Sequence, residues 1–256
     1  MSPLKHKICS IFELSKGKYY NHIGTGFFIG YENYILLVTA KHNLDAVSNK
    51  NEIEICFVGN NNSDNEQDIY IQYSIKQDSF HILEEFDLAF VRITDEDFLT
   101  KIKFFKIGEE NCESKSNFNV FGMRSNENKN KKMDNLQLSC INVPAERTKI
   151  NTKSHTHIQN PIFVNINTKH FFQDEIECDL EKIHKLGELA GLSGSPCYYY
   201  DDRTKKYNSL GVFIGASDSN YQPRNSYKKT PFLTFVVSPI LEIIHYIENI
   251  ENDGKQ

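Results

Sequence analysis

Residues 34–45 read "YILLVTAKHNLD". Tyr34 to Val38 form an unbroken apolar run of aromatic, β-branched and leucine side chains, the types that fill a pleated and buried surface. The run is too short for a helix and ends at Thr39 and Ala40, so it reads as a buried strand, and His42 follows its exit directly. Similar short runs, alternating or continuous, recur along the chain: "HIGTGFFIG", "EIEICFVG", "DIYIQYSI", "DLAFVRI", "FNVFGM", "LQLSCINV", "PIFVNIN", "LGVFIGA" and "FLTFVVS". Polar turns separate them, and no fixed repeat is visible. Many short strands with frequent turns predict an all-β sandwich or barrel protein.

The chain has 256 residues, enough for one large domain or two small ones packed together. A division near 100–115 gives two units, residues 1–105 and 106–256, each large enough for a small barrel. Two stretches break the β pattern. Residues 178–186, "CDLEKIHKL", fit a short helix or a long loop. Residues 239–252 read as a terminal helix: Ser238 can cap it, Pro239 suits its first position, and Ile240, Ile243, Ile244, Ile247 and Ile250 make one apolar stripe. The segments 59–68 and 124–135 read as polar excursions between strands.

The formal net charge of −5 gives no electrostatic footprint for nucleic acid. Lys129, Lys131 and Lys132, set among asparagines, read as a solvated loop. No apolar run reaches the ~18–20 residues that cross a bilayer, and the first residues lack the apolar core of a signal peptide, so the expectation is a cytoplasmic protein without a membrane partner. Cys9, Cys56, Cys112, Cys140, Cys178 and Cys197 are scattered without paired spacing and are expected to be free thiols, several of them in strands. His155 and His157 stand at i, i+2 with no further ligand cluster, so a polar loop is expected there, with no metal and no cofactor. Tyr198, Tyr199 and Tyr200 should alternate across a strand, half core and half surface.

Residues 187–200, "GELAGLSGSPCYYY", hold the tightest collection of small residues in the chain, centred on Ser193. A serine hydroxyl is a weak nucleophile near neutral pH. It needs a base within hydrogen-bond reach, and the base needs an acceptor that fixes its tautomer. His42 at the end of its strand can be that base. Asp87, at the edge of the apolar run "FDLAFVRI", is expected to be partly desolvated and to demand a donor. Three segments carry the pattern: Thr39-Ala40-Lys41-His42, Asp87-Leu88-Ala89-Phe90 and Gly191-Leu192-Ser193-Gly194-Ser195-Pro196. They resemble the histidine, aspartate and serine segments of the trypsin/chymotrypsin-like serine peptidases, in particular their bacterial trypsin-like branch. The chain order His, Asp, Ser matches as well, and it differs from the order in an α/β-hydrolase esterase. "GTGFFIG" (24–30), "LGVFIGAS" (210–217) and "FVVSPI" (235–240) are similar to further stretches of the family, so the likeness extends over about residues 10–250. It is least defined over 115–185.

This resemblance implies two packed six-stranded antiparallel β-barrels of the chymotrypsin-like kind, with a C-terminal α-helix. His42 and Asp87 would lie in the first barrel and Ser193 in the second. It implies a serine endopeptidase acting on a protein or peptide substrate. Ser193 is then the nucleophile, His42 the base and then the acid, and Asp87 the orienting carboxylate. The backbone N–H groups of Gly191 and Ser193 would bind the oxyanion, at roughly 2.7–4 kcal/mol each. Small residues at 191 and 194 would let the turn adopt positive φ. Glu188, Leu189 and Ala190 should form one wall of the substrate pocket, and Ile214, Gly215 and Ala216 the other. The digestive members carry an aspartate before the serine that pairs with a cleaved N-terminus. Here Leu192 stands there, which leaves a preformed site, or one ordered by an activating partner protein, a ligand or oligomerisation. The competing expectation is a silent protease-fold binding or sensor module.

Overall fold

The structure is a computed structural model. It describes residues 4–15, 19–47, 52–59, 69–108, 117–123, 139–147, 157–167, 171–173, 176–178, 191–216 and 232–253. The N-terminal part carries β1 (Ile8–Ser15), β2 (Tyr19–Tyr31), β3 (Tyr34–Ala40), α1 (Lys41–Asp45), β4 (Glu52–Gly59), β5 (Ile69–Lys76), β6 (His81–Leu83), β7 (Leu88–Ile93) and α2 (Glu96–Leu99). Then come β8 (Phe105–Ile107), β9 (Asn117–Met123), β10 (Cys140–Arg147), β11 (Ile162–Asn167), β12 (Phe171–Gln173) and β13 (Ile176–Cys178). β14 (Pro196–Asp201), β15 (Lys206–Ala216), β16 (Phe232–Pro239) and α3 (Leu241–Asp253) complete the described chain.

The protein is mostly β-strand. Six strands close an antiparallel barrel: β9 pairs β10, β10 pairs β11, β11 pairs β16, β16 pairs β15, β15 pairs β14, and β14 returns to β9. Its interior is filled by Phe118, Val120, Val143, Val164, Phe213 and Phe235, with Leu192 beside them. In the N-terminal half an antiparallel ladder runs β5–β4–β1–β2–β3–β7–β6. No ladder joins β5 to β6 among the described residues. Inside this ladder Phe28, Phe57 and Phe98 pack edge to face, with centroids 5.7 and 4.9 Å apart along the chain of rings. Burying each ring contributes about 1.5–3 kcal/mol, and the tilted geometry adds to that.

A third apolar cluster joins the two halves, with Phe27, Val38, Phe90, Phe105, Met123 and Tyr198 among its members. This cluster explains the unbroken apolar runs of β2 and β3. On β2, Phe27 faces the joint between the halves and Phe28 the N-terminal interior; on β3, Leu36 and Leu37 divide the same way. A strand with a core on each face has no polar side to alternate with. The same geometry corrects the expectation for the tyrosines. Tyr198 points to the joint and Tyr199 into the closed barrel, so both are buried, and only Tyr200 is exposed. β8 lies in the joint and runs parallel to both β2 and β15.

The runs read as strands fall on strands wherever they are described; residues 136–138 of "LQLSCINV" lie outside the described residues, and β10 begins at Cys140. β6, β8, β12 and β13, three residues each, are too short to show a period. The terminal helix is present, but it begins later than the sequence implied. Ser238 and Pro239 still belong to β16, opposite Val212 and Gly211, and α3 starts at Leu241. A proline at the last position of a strand sacrifices little, and the ladder to β15 wins over the helical start. Ile240, Ile243 and Ile244 are buried as expected, whereas Ile250 is 48% exposed. Along α3, Tyr246 packs against Phe90 and His81, and Glu248 and Glu251 accept hydrogen bonds from Tyr31 and Tyr34. The helix therefore lies against the N-terminal half. Residues 60–68, 124–135 and 179–186, with the lysines at 129, 131 and 132, lie outside the described residues.

Candidate functional site

Three segments converge where the halves meet. β3 delivers the chain into α1, a helix of five residues with no side-chain cap from Ala40. Its first backbone N–H groups need acceptors, and Asp87 supplies them from another part of the chain. The Asp87 backbone carbonyl accepts from Lys41 N–H at 2.9 Å, and its Oδ1 accepts from His42 N–H at 2.9 Å. Asp87 sits in the left-handed region at φ 51°, a conformation that aspartate tolerates better than most residues. That turn follows the short 3-10 helix Glu84–Phe86 and aims the carboxylate at α1 rather than along β7.

The second carboxylate oxygen, Oδ2, lies 2.6 Å from His42 Nδ1. An ionised carboxylate only accepts, so this contact suits the tautomer with its proton on Nδ1, in which Nε2 presents its lone pair. Ser193 Oγ is hydrogen-bonded to that Nε2, and the two residues are 151 positions apart in sequence. Asp87 is nearly buried, with its side chain 11% exposed against 42% for His42. One end of the chain of groups is thus held in the protein and the other opens to solvent. Lys41 bridges Glu84 and Asp45, each at 2.9 Å, tying the histidine helix to the aspartate turn. These hydrogen bonds hold the Lys41 ammonium above its ordinary range.

Ser193 lies in a tight turn. Gly191 and Gly194 have φ of 95° and 87°, where a side chain is strained. A Cβ at Gly194 would overlap Thr25 O and Thr39 Oγ1 and would lie 2.8 Å from Asn43 Nδ2. Ser195 N–H closes the turn onto Leu192 O at 2.8 Å, and Gly194 N–H donates to Phe213 O at 2.8 Å. Among the described residues the N–H groups of Gly191 and Ser193 have no hydrogen-bond acceptor. Ser193 Oγ also lies 3.1 Å from the carbonyl of Ile214, which stands at an irregularity in the β15–β16 register between Phe213 and Gly215.

The structure therefore brings His42, Asp87 and Ser193 together and sets Ile214 beside them. Gly215 and Ala216 continue β15 in pairing with β16, beyond the point where the ladder to β14 ends at Val212. Glu188, Leu189 and Ala190 lie outside the described residues, as do Cys112 and His155, whereas His157 is described and exposed. Ser195 is fully buried, and its Oγ lies against Gly122 with no hydrogen-bond partner among the described residues. Cys9, Cys56, Cys140 and Cys197 are buried, and none of the four is in a disulfide. Burial pushes the Cys56 thiol up to about 11 and that of Cys9 further, which leaves neither as a thiolate near neutral pH. No group of three or more His, Cys, Asp or Glu that could hold a metal occurs among the described residues, and no helix there is long and apolar enough to cross a membrane.

Sequence reasoning missed two residues. Asn43 donates from Nδ2 to Ser193 O at 2.9 Å, and Thr25 donates from Oγ1 to Gly191 O at 2.6 Å. The available signals were a carboxamide directly after the histidine and a threonine between Gly24 and Gly26. No protein-family model matches the chain, and comparison with curated proteins finds no match.

Proposed function

We propose that this protein is a serine endopeptidase that works through a Ser193-His42-Asp87 triad and an acyl-enzyme. The observation that carries the reading is the continuous hydrogen-bonded path from a nearly buried carboxylate through one imidazole to one hydroxyl, built from three distant segments. On this reading the N-terminal ladder is the second barrel of a chymotrypsin-like pair, and the resemblance to trypsin-like peptidases reflects a shared fold. Cys9 and Cys56, buried thiols outside any disulfide, favour a reducing compartment, the cytoplasm.

Ser193 Oγ attacks the scissile carbonyl carbon as His42 Nε2 takes its proton. Asp87 keeps the other proton on Nδ1 and stabilises the imidazolium that forms. Negative charge develops on the former carbonyl oxygen, and the N–H groups of Gly191 and Ser193 receive it. Collapse expels the amine, which leaves with the proton from Nε2. Water, deprotonated by the same nitrogen, then releases the acyl group. The backbone edge of β15 over 214–216, beyond its ladder to β14, offers an extended peptide a strand to pair with. Cleavage of a peptide library by the purified full chain tests the proposal. Cut products are expected from wild type and none from Ser193→Ala. Equal product from both would reject it, and no product from either would favour the silent binding module.

A further inference from the structure

Three successive peptide units around Ser193 are each fixed through their carbonyl oxygens. Leu192 O is held inside the turn by Ser195 N–H. The other two are held by the opposite half of the molecule. Ser193 O accepts from Thr25 N–H at 2.8 Å and from Asn43 Nδ2 at 2.9 Å, while Gly191 O accepts from Thr25 Oγ1. The direction of every bond follows from donor and acceptor counting. Met123 N–H donates to Thr25 Oγ1 at 2.9 Å, so the one hydroxyl proton of Thr25 goes to Gly191 O. Ser193 O can only accept, so the Asn43 atom beside it is the nitrogen, and the same nitrogen reaches Thr39 Oγ1 at 3.0 Å. Thr39 Oγ1 in turn donates to Thr25 O at 2.8 Å.

We infer that Asn43 and Thr25 are positioning residues that assemble the nucleophile turn from within the chain, so that the site needs no activating partner. The inference rests on the serine peptidase reading of this site. Pinning the carbonyls of residues 191, 192 and 193 fixes the planes of their peptides, and with them the direction of Ser193 N–H. Gly194 N–H, opposite Ser193 O across its peptide, is held by Phe213 O. Asn43 follows His42 on the same turn of α1, so one short helix sets both the imidazole and the amide that grips the serine's own carbonyl. Thr25, Thr39 and Asn43 are buried, so water does not compete for these bonds. The backbone makes room for the clasp, since a Cβ at Gly24 would overlap the Asn43 carboxamide and one at Gly194 would overlap Thr25 O. Leu192, the residue before the nucleophile, anchors the turn in the core of the closed barrel, where an aspartate would need a cation.

The test compares full-length wild type with Thr25→Val, Thr25→Ser and Asn43→Ala, and with Asn43→Ser as a milder second variant. Hydrogen exchange is read by mass spectrometry on the segment containing Gly194 and Ser195, with the β3–β7 ladder as the fold control. The rate of labelling by a fluorophosphonate is read in parallel. With the ladder still protected, Thr25→Val and the Asn43 variants are expected to exchange roughly tenfold faster in the turn and to label roughly tenfold slower, the effect of one buried hydrogen bond. Thr25→Ser, which keeps the hydroxyl, is expected to match wild type, and the acid limb of the pH–rate profile should keep its midpoint in all variants. Unchanged exchange in the turn overturns the inference. So does Thr25→Ser behaving like Thr25→Val, or wild type labelling only after a lysate supplies another protein. A wild type that never labels, while exchange responds as expected, rejects the peptidase reading and leaves the clasp standing.

Discussion

Gly194→Ala perturbs the turn at its most crowded point. The new methyl group would overlap the Thr25 carbonyl oxygen and Thr39 Oγ1, and it would come within 2.8 Å of Asn43 Nδ2. The nearest of these atoms is backbone, so no change of rotamer relieves the clash. The residue must also hold φ of 87°, which costs an alanine about 1–2 kcal/mol. Overpacking a filled interior adds about 1–3 kcal/mol. The sum, about 2–5 kcal/mol, is a large part of the ~5–15 kcal/mol that holds a domain together. At about 2–4 °C per kcal/mol for a chain of this size, melting should fall by about 4–20 °C. The turn can also yield by moving away from Thr25. A displacement of about 1 Å at a reacting group costs roughly 10²-fold in rate. Calorimetry of the variant, with the rate of Ser193 labelling measured well below its melting point, reads both effects. Melting within 2 °C of wild type together with labelling within about threefold would refute the packing argument, because the methyl group would then have found space that the geometry denies it.

Asp87→Asn should lower the turnover of a cleavable peptide by about 10⁴-fold with little change in KM, because the amide no longer holds the proton on His42 Nδ1; steady-state kinetics check this, and a drop under tenfold contradicts it. Gly122→Ala should destabilise through overlap with Ser195 Oγ and a 2.8 Å approach to Leu192 Cδ2. Adding Ser195→Ala should return part of the loss in a denaturant double-mutant cycle, and strict additivity would contradict the contact. Burial first, then Lys103 and Lys106, lower Lys7 to about 8. The folded protein therefore binds this proton less tightly than the unfolded chain does, and the Lys7 contribution to stability rises with pH from about 8 to about 10.5. The stability difference between wild type and Lys7→Met, measured by denaturant melts across that window, should shift in favour of wild type as pH rises, and a constant difference would contradict it.

Strands such as "YILLVTA" and "FLTFVVS" were legible because their residue types suit a pleated surface, whichever face is buried. The continuous rather than alternating character of "YILLVTA" has a physical reason that only the assembled structure exposes: the core at the joint lies behind β2, β3, β7 and β14. The same fact misled the reading of Tyr198 and Tyr199, since one strand taken alone does not tell which of its faces meets a second core. The start of α3 was misplaced because local capping preference at Ser238 and Pro239 lost to pairing with Val212 and Gly211 across β15. At the site, His42, Asp87 and Ser193 were legible because their chemistry demands one another. Asn43 and Thr25 were not, because a carboxamide after a histidine and a threonine between two glycines are too common to mark a hold on backbone carbonyls across the joint; only their partners 150 and 166 positions away give them meaning.

The central claim is that one serine is made nucleophilic by one histidine. Purified full-length protein treated with a fluorophosphonate and weighed intact tests it directly. The account predicts a single covalent adduct per chain, mapped to Ser193 by peptide sequencing, absent in Ser193→Ala and lost in His42→Ala. A wild-type chain that gains no mass, or an adduct that persists in Ser193→Ala, would contradict it.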